Sequence, residues 1–101
     1  MSGLFSARAG VAVFGGGGFL RADWPLGKVT LDTQALTLDS LFGSYRLPLV
    51  DIEALRPGLL SIQMQHHAPG VPPRVSIWDV RLFGRLRWAI DHHRLPVALE
   101  T

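Results

Sequence analysis

The chain has no cysteine, one lysine (Lys28), one tyrosine, and charged residues at only 18% of its 101 positions. Without cysteine there is no disulfide framework, no thiolate metal site and no cysteine nucleophile, a composition that fits a reducing compartment. Long apolar runs are also missing. The longest nearly uncharged stretch, Ala9 to Leu20, is interrupted by four consecutive glycines and falls short of the roughly twenty apolar residues that a membrane span requires. A secretory pattern is not legible either, because Arg8 is followed only by a short, glycine-broken apolar segment. The expected location is the cytoplasm, with peripheral contact at a membrane as a variant.

A large excess of one charge sign is the next absence. Ten Lys and Arg stand against eight acidic residues, for a net charge of +2. The nine arginines are spread along the chain, and only Arg81, Arg85 and Arg87 cluster. A protein that binds by neutralising many phosphates concentrates its cations, so nucleic acid is not an expected partner.

What is present is apolar: 48% of residues are hydrophobic, enough to fill the single core expected at this length and leave some apolar surface outside. Self-association is therefore expected. Residues 1–18 read as a small-residue strand (Ala7, Ala9, Val11 and Val13 alternating) followed by the run Gly15 to Gly18, and residues 19–101 as the remainder of one domain. Phe19 to Trp24 forms a short extended segment before Pro25. Val29 and Leu31, a turn at Asp32, Thr33 and Gln34, and then Leu36 and Leu38 spell a hairpin. Tyr45, Leu47, Leu49 and Ile52 carry a strand in which Pro48 implies an edge or a bulge. After the turn pair Pro57-Gly58, residues Leu60, Ile62, Met64 and His66 alternate cleanly with polar neighbours. Ala68 to Pro73 is a loop, and Val75 to Val80 the last strand.

From Asp79, a suitable N-cap, the period becomes helical and predicts a helix over about 80–94, ended by Pro96. Its apolar stripe holds Leu82, Phe83, Leu86, Ala89, Ile90 and His93. Trp88 falls at about 240° from Leu82, on the opposite side, with Arg81, Arg85 and His92 at neighbouring angles.

This order, antiparallel strands and then one C-terminal helix, resembles the pleckstrin-homology-like barrel, including its small bacterial and GRAM-type members. The likeness is carried by Lys28-Val-Thr-Leu-Asp32 with Ala35-Leu-Thr-Leu-Asp39, by Tyr45-Arg-Leu-Pro-Leu-Val-Asp-Ile52, by Leu59 to His66 and by the closing helix. It implies a mainly β fold of two near-orthogonal antiparallel sheets capped by the helix. It also implies a binding module for headgroups, peptides or partner domains, with Trp24 and Trp78 as barrel residues or sheet-edge cover.

These residues bear on four readings of function. The first is protein association without catalysis, through Trp88, Arg81, Arg85 and His92, joined by Phe42 at a hairpin tip. In it an arginine is expected to stack on the Trp88 indole. The second is binding of anionic lipid or another acidic partner, with Arg21 and Lys28 added to Arg81 and Arg85. A metal site is the third; it would need one histidine from each of the pairs His66-His67 and His92-His93 plus Asp79 or Asp91, since adjacent histidines diverge on either element. The fourth, a hydrolase, would need Ser61 or Ser76 beside one of those histidines, and no strand–turn–Ser–turn–helix arrangement accompanies them. Protein association is the reading preferred, with His66 and His93 at the core margin, His67 and His92 solvated, and no cofactor, metal or catalytic residue assigned.

Overall fold

The computed structural model describes residues 3–15, 18–22, 26–40, 43–58, 61–79 and 81–99. The chain is mainly β, with two sheets and one C-terminal helix. A four-stranded sheet holds β1 (Gly3–Arg8), β4 (Lys28–Asp32), β5 (Ala35–Ser40) and β6 (Gly43–Pro48), in that spatial order. A six-stranded sheet holds β2 (Gly10–Gly15), β3 (Gly18–Ala22), β7 (Ile52–Pro57), β8 (Ile62–His66), β9 (Arg74–Trp78) and β10 (Ala98–Leu99). Its spatial order is β10-β7-β8-β9-β2-β3.

The sheets diverge where the chain bends. β1 and β2 are consecutive, yet β1 pairs with β4 and β2 pairs with β3 and β9. Between them, the Ala9 N–H donates to the Gly27 carbonyl at 2.9 Å. A Cβ on Gly27 would overlap the Ala9 carbonyl oxygen, so only glycine permits this approach of two backbones. A second corner forms after Pro48, where a 3-10 helix (Leu49–Asp51) carries the chain from one sheet into the other. The Leu49 N–H donates to the Gln34 carbonyl at 2.8 Å there. The segment Tyr45 to Ile52, expected as one strand, is thus two strands split at its proline, whose ring cannot donate to a ladder.

The β4–β5 hairpin sits where the alternation predicts it. Its turn is fastened by the Asp32 carboxylate, which accepts the N–H groups of Gln34 and Ala35, both at 2.7 Å. Val29, Leu31, Leu36 and Leu38 point inward with Leu47, and they meet Val11, Val13, Ile62, Val75 and Ile77 of the other sheet in one core. The two ends of the glycine run, Gly15 and Gly18, are paired across β2 and β3.

Helix α1 (Leu82–His93) closes that core with Leu82, Phe83, Leu86, Ala89 and Ile90. It begins three residues after Asp79, whose carboxylate accepts the Arg81 N–H at 3.1 Å. At its other end Arg94 adopts the left-handed conformation, and the Leu95 N–H donates back to the Ile90 carbonyl at 2.9 Å, closing the last turn.

Several expectations are corrected by these placements. His93 is exposed rather than at the core margin, because it lies past the last buried position of the stripe, Ile90. Trp78 points outward at 53% exposure, since Val75 and Ile77 take the inward face of β9. The sheets are not wholly antiparallel: after α1 the chain returns as β10, running parallel to β7. Trp24 and Phe42 lie outside the described residues.

Candidate functional site

A groove runs between the edge strand β1 and helix α1, and its origin is the bend at Ala9. β9 pairs with β2 as far as Trp78↔Gly10, and beyond that point β1 has swung into the other sheet. The chain then turns through Asp79 to Arg81 into α1, which lies beside β1 without adding a strand to it. Among the described residues β1 pairs only with β4, and its other side borders this groove.

One end of the groove is apolar, a hollow of 320 Å³ lined by Leu4, Phe5, Gly84, Arg85, Trp88 and Ala89. The other is cationic, a hollow of 560 Å³ lined by Ala7, Arg8, Asp79, Arg81, Leu82 and Arg85. Arg85 borders both. Its guanidinium carbon stands 4.5 Å from the centroid of the Phe5 ring, within cation–π range. Trp88 is 63% exposed and stacks on the His92 imidazole, with ring centroids 4.6 Å apart and planes 10° from parallel. His93 meets both rings edge-on, at 6.4 Å from Trp88 and 4.9 Å from His92. The expected arginine–indole stack is therefore replaced by two pairs, Arg85 on Phe5 and His92 on Trp88. Helical spacing explains the second: positions 88 and 92 are one turn apart on the same face.

Arg81 is held by Asp79 through Nε at 3.0 Å and Nη2 at 3.3 Å. This hydrogen bond keeps the Asp79 carboxyl below the usual carboxylate range and raises the Arg81 guanidinium further above neutrality. Arg8, Arg81 and Arg85 line this end of the groove together with Asp79.

Arg81, the residue before α1, and Arg85, Trp88 and His92 on it are accordingly found together, and the first three line the groove. Arg21 and Lys28 are exposed but do not line it: Arg21 is on β3, across from Ala12, and Lys28 is on β4, between Arg8 and Asp39. Phe42 lies outside the described residues. Leu4, Phe5, Arg8 and Gly84 were missed as groove residues. The period-2 series Phe5, Ala7, Ala9, Val11, Val13 held the signal that the first strand starts earlier, and the glycine inside the helical stretch marked an open position.

The histidines and serines of the other readings are engaged locally. His66 Nδ1 accepts the Ala68 N–H at 3.0 Å, which leaves the proton on Nε2 to be donated to the Pro72 carbonyl at 2.9 Å. His67 lies beside Asp51 at 3.2 Å and Glu53 at 3.6 Å, where an extra residue in β7 kinks the ladder. The Ser76 hydroxyl donates to Gln63 Oε1 at 3.0 Å, and Ser61 Oγ accepts from Gln63 Nε2 at 2.8 Å. Among the described residues no group of three or more His, Asp or Glu is placed to hold a metal ion. No helix among them is long and apolar enough to cross a membrane.

Compared with protein-family models and with curated proteins, the chain matches none.

Proposed function

We propose that this chain is a non-enzymatic binding module of the pleckstrin-homology-like kind, working by protein association at the groove between β1 and α1. The observation that carries the reading is a strand edge without a further strand among the described residues, beside a solvent-facing tryptophan. Such an edge offers backbone donors and acceptors to another chain, and an exposed indole among arginines is the side-chain mix that anchors interfaces. The order of nine strands before a single helix supports the family reading, as does the direct passage of the chain from β1 in one sheet to β2 in the other.

A second copy is one available partner, since it brings its own β1 edge. Light scattering of the wild type and of Trp88→Ala at low and high salt tests that form. The expected result is a species heavier than the 11.1 kDa monomer, insensitive to salt and returned to monomer by the substitution. Monomers under every condition would overturn self-association.

Binding to an anionic lipid surface is a second reading, favoured by the placement of Arg8, Arg81 and Arg85 around one hollow. It predicts association with vesicles that falls steeply as salt rises.

A further inference from the structure

We infer that the segment Ala68 to Pro73 is a proton-released strap: the neutral ring of His66 latches it over one end of the core, and uptake of a proton at that ring frees its leading end. The inference is independent of the groove between β1 and α1.

The make-up of the segment supplies the first argument. Ala-Pro-Gly-Val-Pro-Pro contains three residues without an N–H and a glycine, Gly70, in the left-handed region at φ 77°. It has little backbone with which to fasten itself, and its own tie is the Val71 N–H to the Ala68 carbonyl at 3.4 Å. Yet it covers apolar surface, since Ala68 and Pro72 are buried and Ala68 and Val71 pack with the core. One imidazole latches it. His66 Nδ1 accepts the Ala68 N–H at 3.0 Å where the strap begins, and Nε2 donates to the Pro72 carbonyl at 2.9 Å near its end. Past that point Pro73 lies against Gly15, where a Cβ would come within 2.8 Å of its ring.

Proton chemistry supplies the second. A neutral imidazole has one donor and one acceptor nitrogen, and both are used here; an imidazolium has two donors. With a proton on Nδ1, one N–H faces another, and the N–H of buried Ala68 loses its acceptor. The bond to Pro72 persists, because a charged ring is the stronger donor. Release is therefore one-sided: the leading end lifts and the trailing end stays.

The next residue responds in the opposite sense. His67 Nε2 lies 3.2 Å from Asp51 Oδ1 and Nδ1 lies 3.6 Å from Glu53 Oε1, while its backbone N–H donates to the Asp51 carbonyl at 2.9 Å. An imidazolium there is drawn to both carboxylates, so His67 stays fastened to β7 as His66 lets go, and the strap hinges between them. Asp51 and Glu53 are thus turned to His67, and the residue of β7 opposite His66 is Ile52. From β9, on the other side of β8, Arg74 is turned to the Phe14 ring, 5.6 Å from its centroid. The strap itself carries no titratable side chain.

The test is amide exchange by NMR on the full chain at about pH 7.5 and about pH 5, limits between which histidine exchanges its proton. Ring nitrogen shifts of labelled histidine report the protonation of His66. Protection factors, corrected for the intrinsic pH dependence of exchange, report the strap. The Ala68 amide should lose protection by about tenfold at the lower pH, the effect of one lost hydrogen bond, while His67, Met64 and the β4–β5 hairpin hold. His66→Asn is the second arm. An Asn side-chain oxygen accepts the N–H two residues on and takes up no proton in this range, so Ala68 should be equally protected at both pH values. Equal protection of Ala68 at both pH values in the wild type, a loss that persists in His66→Asn, or a loss that spreads through the β4–β5 hairpin would each overturn the inference. Should His66→Asn fail to fold, the wild-type comparison decides alone: a protonated His66 ring with a protected Ala68 amide refutes the latch.

Discussion

Arg85 on the helix and Phe5 on the edge strand are tied face to face, guanidinium over ring at 4.5 Å, across a groove that would otherwise separate two elements far apart in sequence. That contact joins the two walls of the groove.

A double-mutant cycle on this pair reads its strength. Arg85→Ala and Phe5→Leu, singly and together, should give a coupling of about 0.5–1 kcal/mol in denaturant unfolding, as expected for a cation–π contact at an exposed site. Additive effects would show the two side chains to be energetically independent.

The helix should respond oppositely on its two faces. Leu86 is fully buried, and Leu86→Ala should cost about 2–5 kcal/mol by leaving a cavity in the core. Trp88→Ala removes a mostly exposed ring and its stack with His92, so the melting temperature should stay nearly constant. A large fall for Trp88→Ala would place the indole in the core.

Gly27 should be the least replaceable glycine of the described set. Gly27→Ala drives a methyl group into the Ala9 carbonyl, where backbone rather than a flexible side chain must yield, and should cost about 1–3 kcal/mol. Gly84→Ala, with open space around it, should instead stabilise by about 0.5–1 kcal/mol. Paired urea melts of the two variants check the contrast.

The β4–β5 turn should weaken in acid. The N–H groups of Gln34 and then Ala35 hold the Asp32 carboxyl below its ordinary 3.8. Above that value both folded and unfolded chains are ionised, and the contribution is fully present. As pH falls toward the lower folded value, the unfolded chain takes up its proton first and the contribution is lost. Asp32→Ala should cost about 1 kcal/mol at neutral pH and progressively less below about pH 4, measured as the difference in unfolding midpoint from wild type.

Much of the local structure was legible because it is periodic. The alternation of Val29, Leu31, Leu36 and Leu38 placed a hairpin and its inward face, and the spacing of Leu82, Phe83, Leu86, Ala89 and Ile90 placed the helix and its buried stripe. The same spacing located Trp88 among Arg81, Arg85 and His92. It did not select the ring partners, since helical angles give neighbours on one element and say nothing of Phe5, eighty residues earlier.

The sequence by itself determined the β4–β5 hairpin, the strand around Met64 and the closing helix, with the apolar side of each, because those properties repeat every two or every 3.6 residues along one element. Only the tertiary structure decided that β9 closes against β2, Val13 opposite Val75, and that Gly27 lets the first strand bend at Ala9 into the other sheet. Such pairings depend on contacts between segments some sixty residues apart and on the room that a missing Cβ leaves, neither of which has a local period. The groove exists because of that bend: once β1 leaves the sheet of β9, no further strand among the described residues pairs with it and α1 borders it.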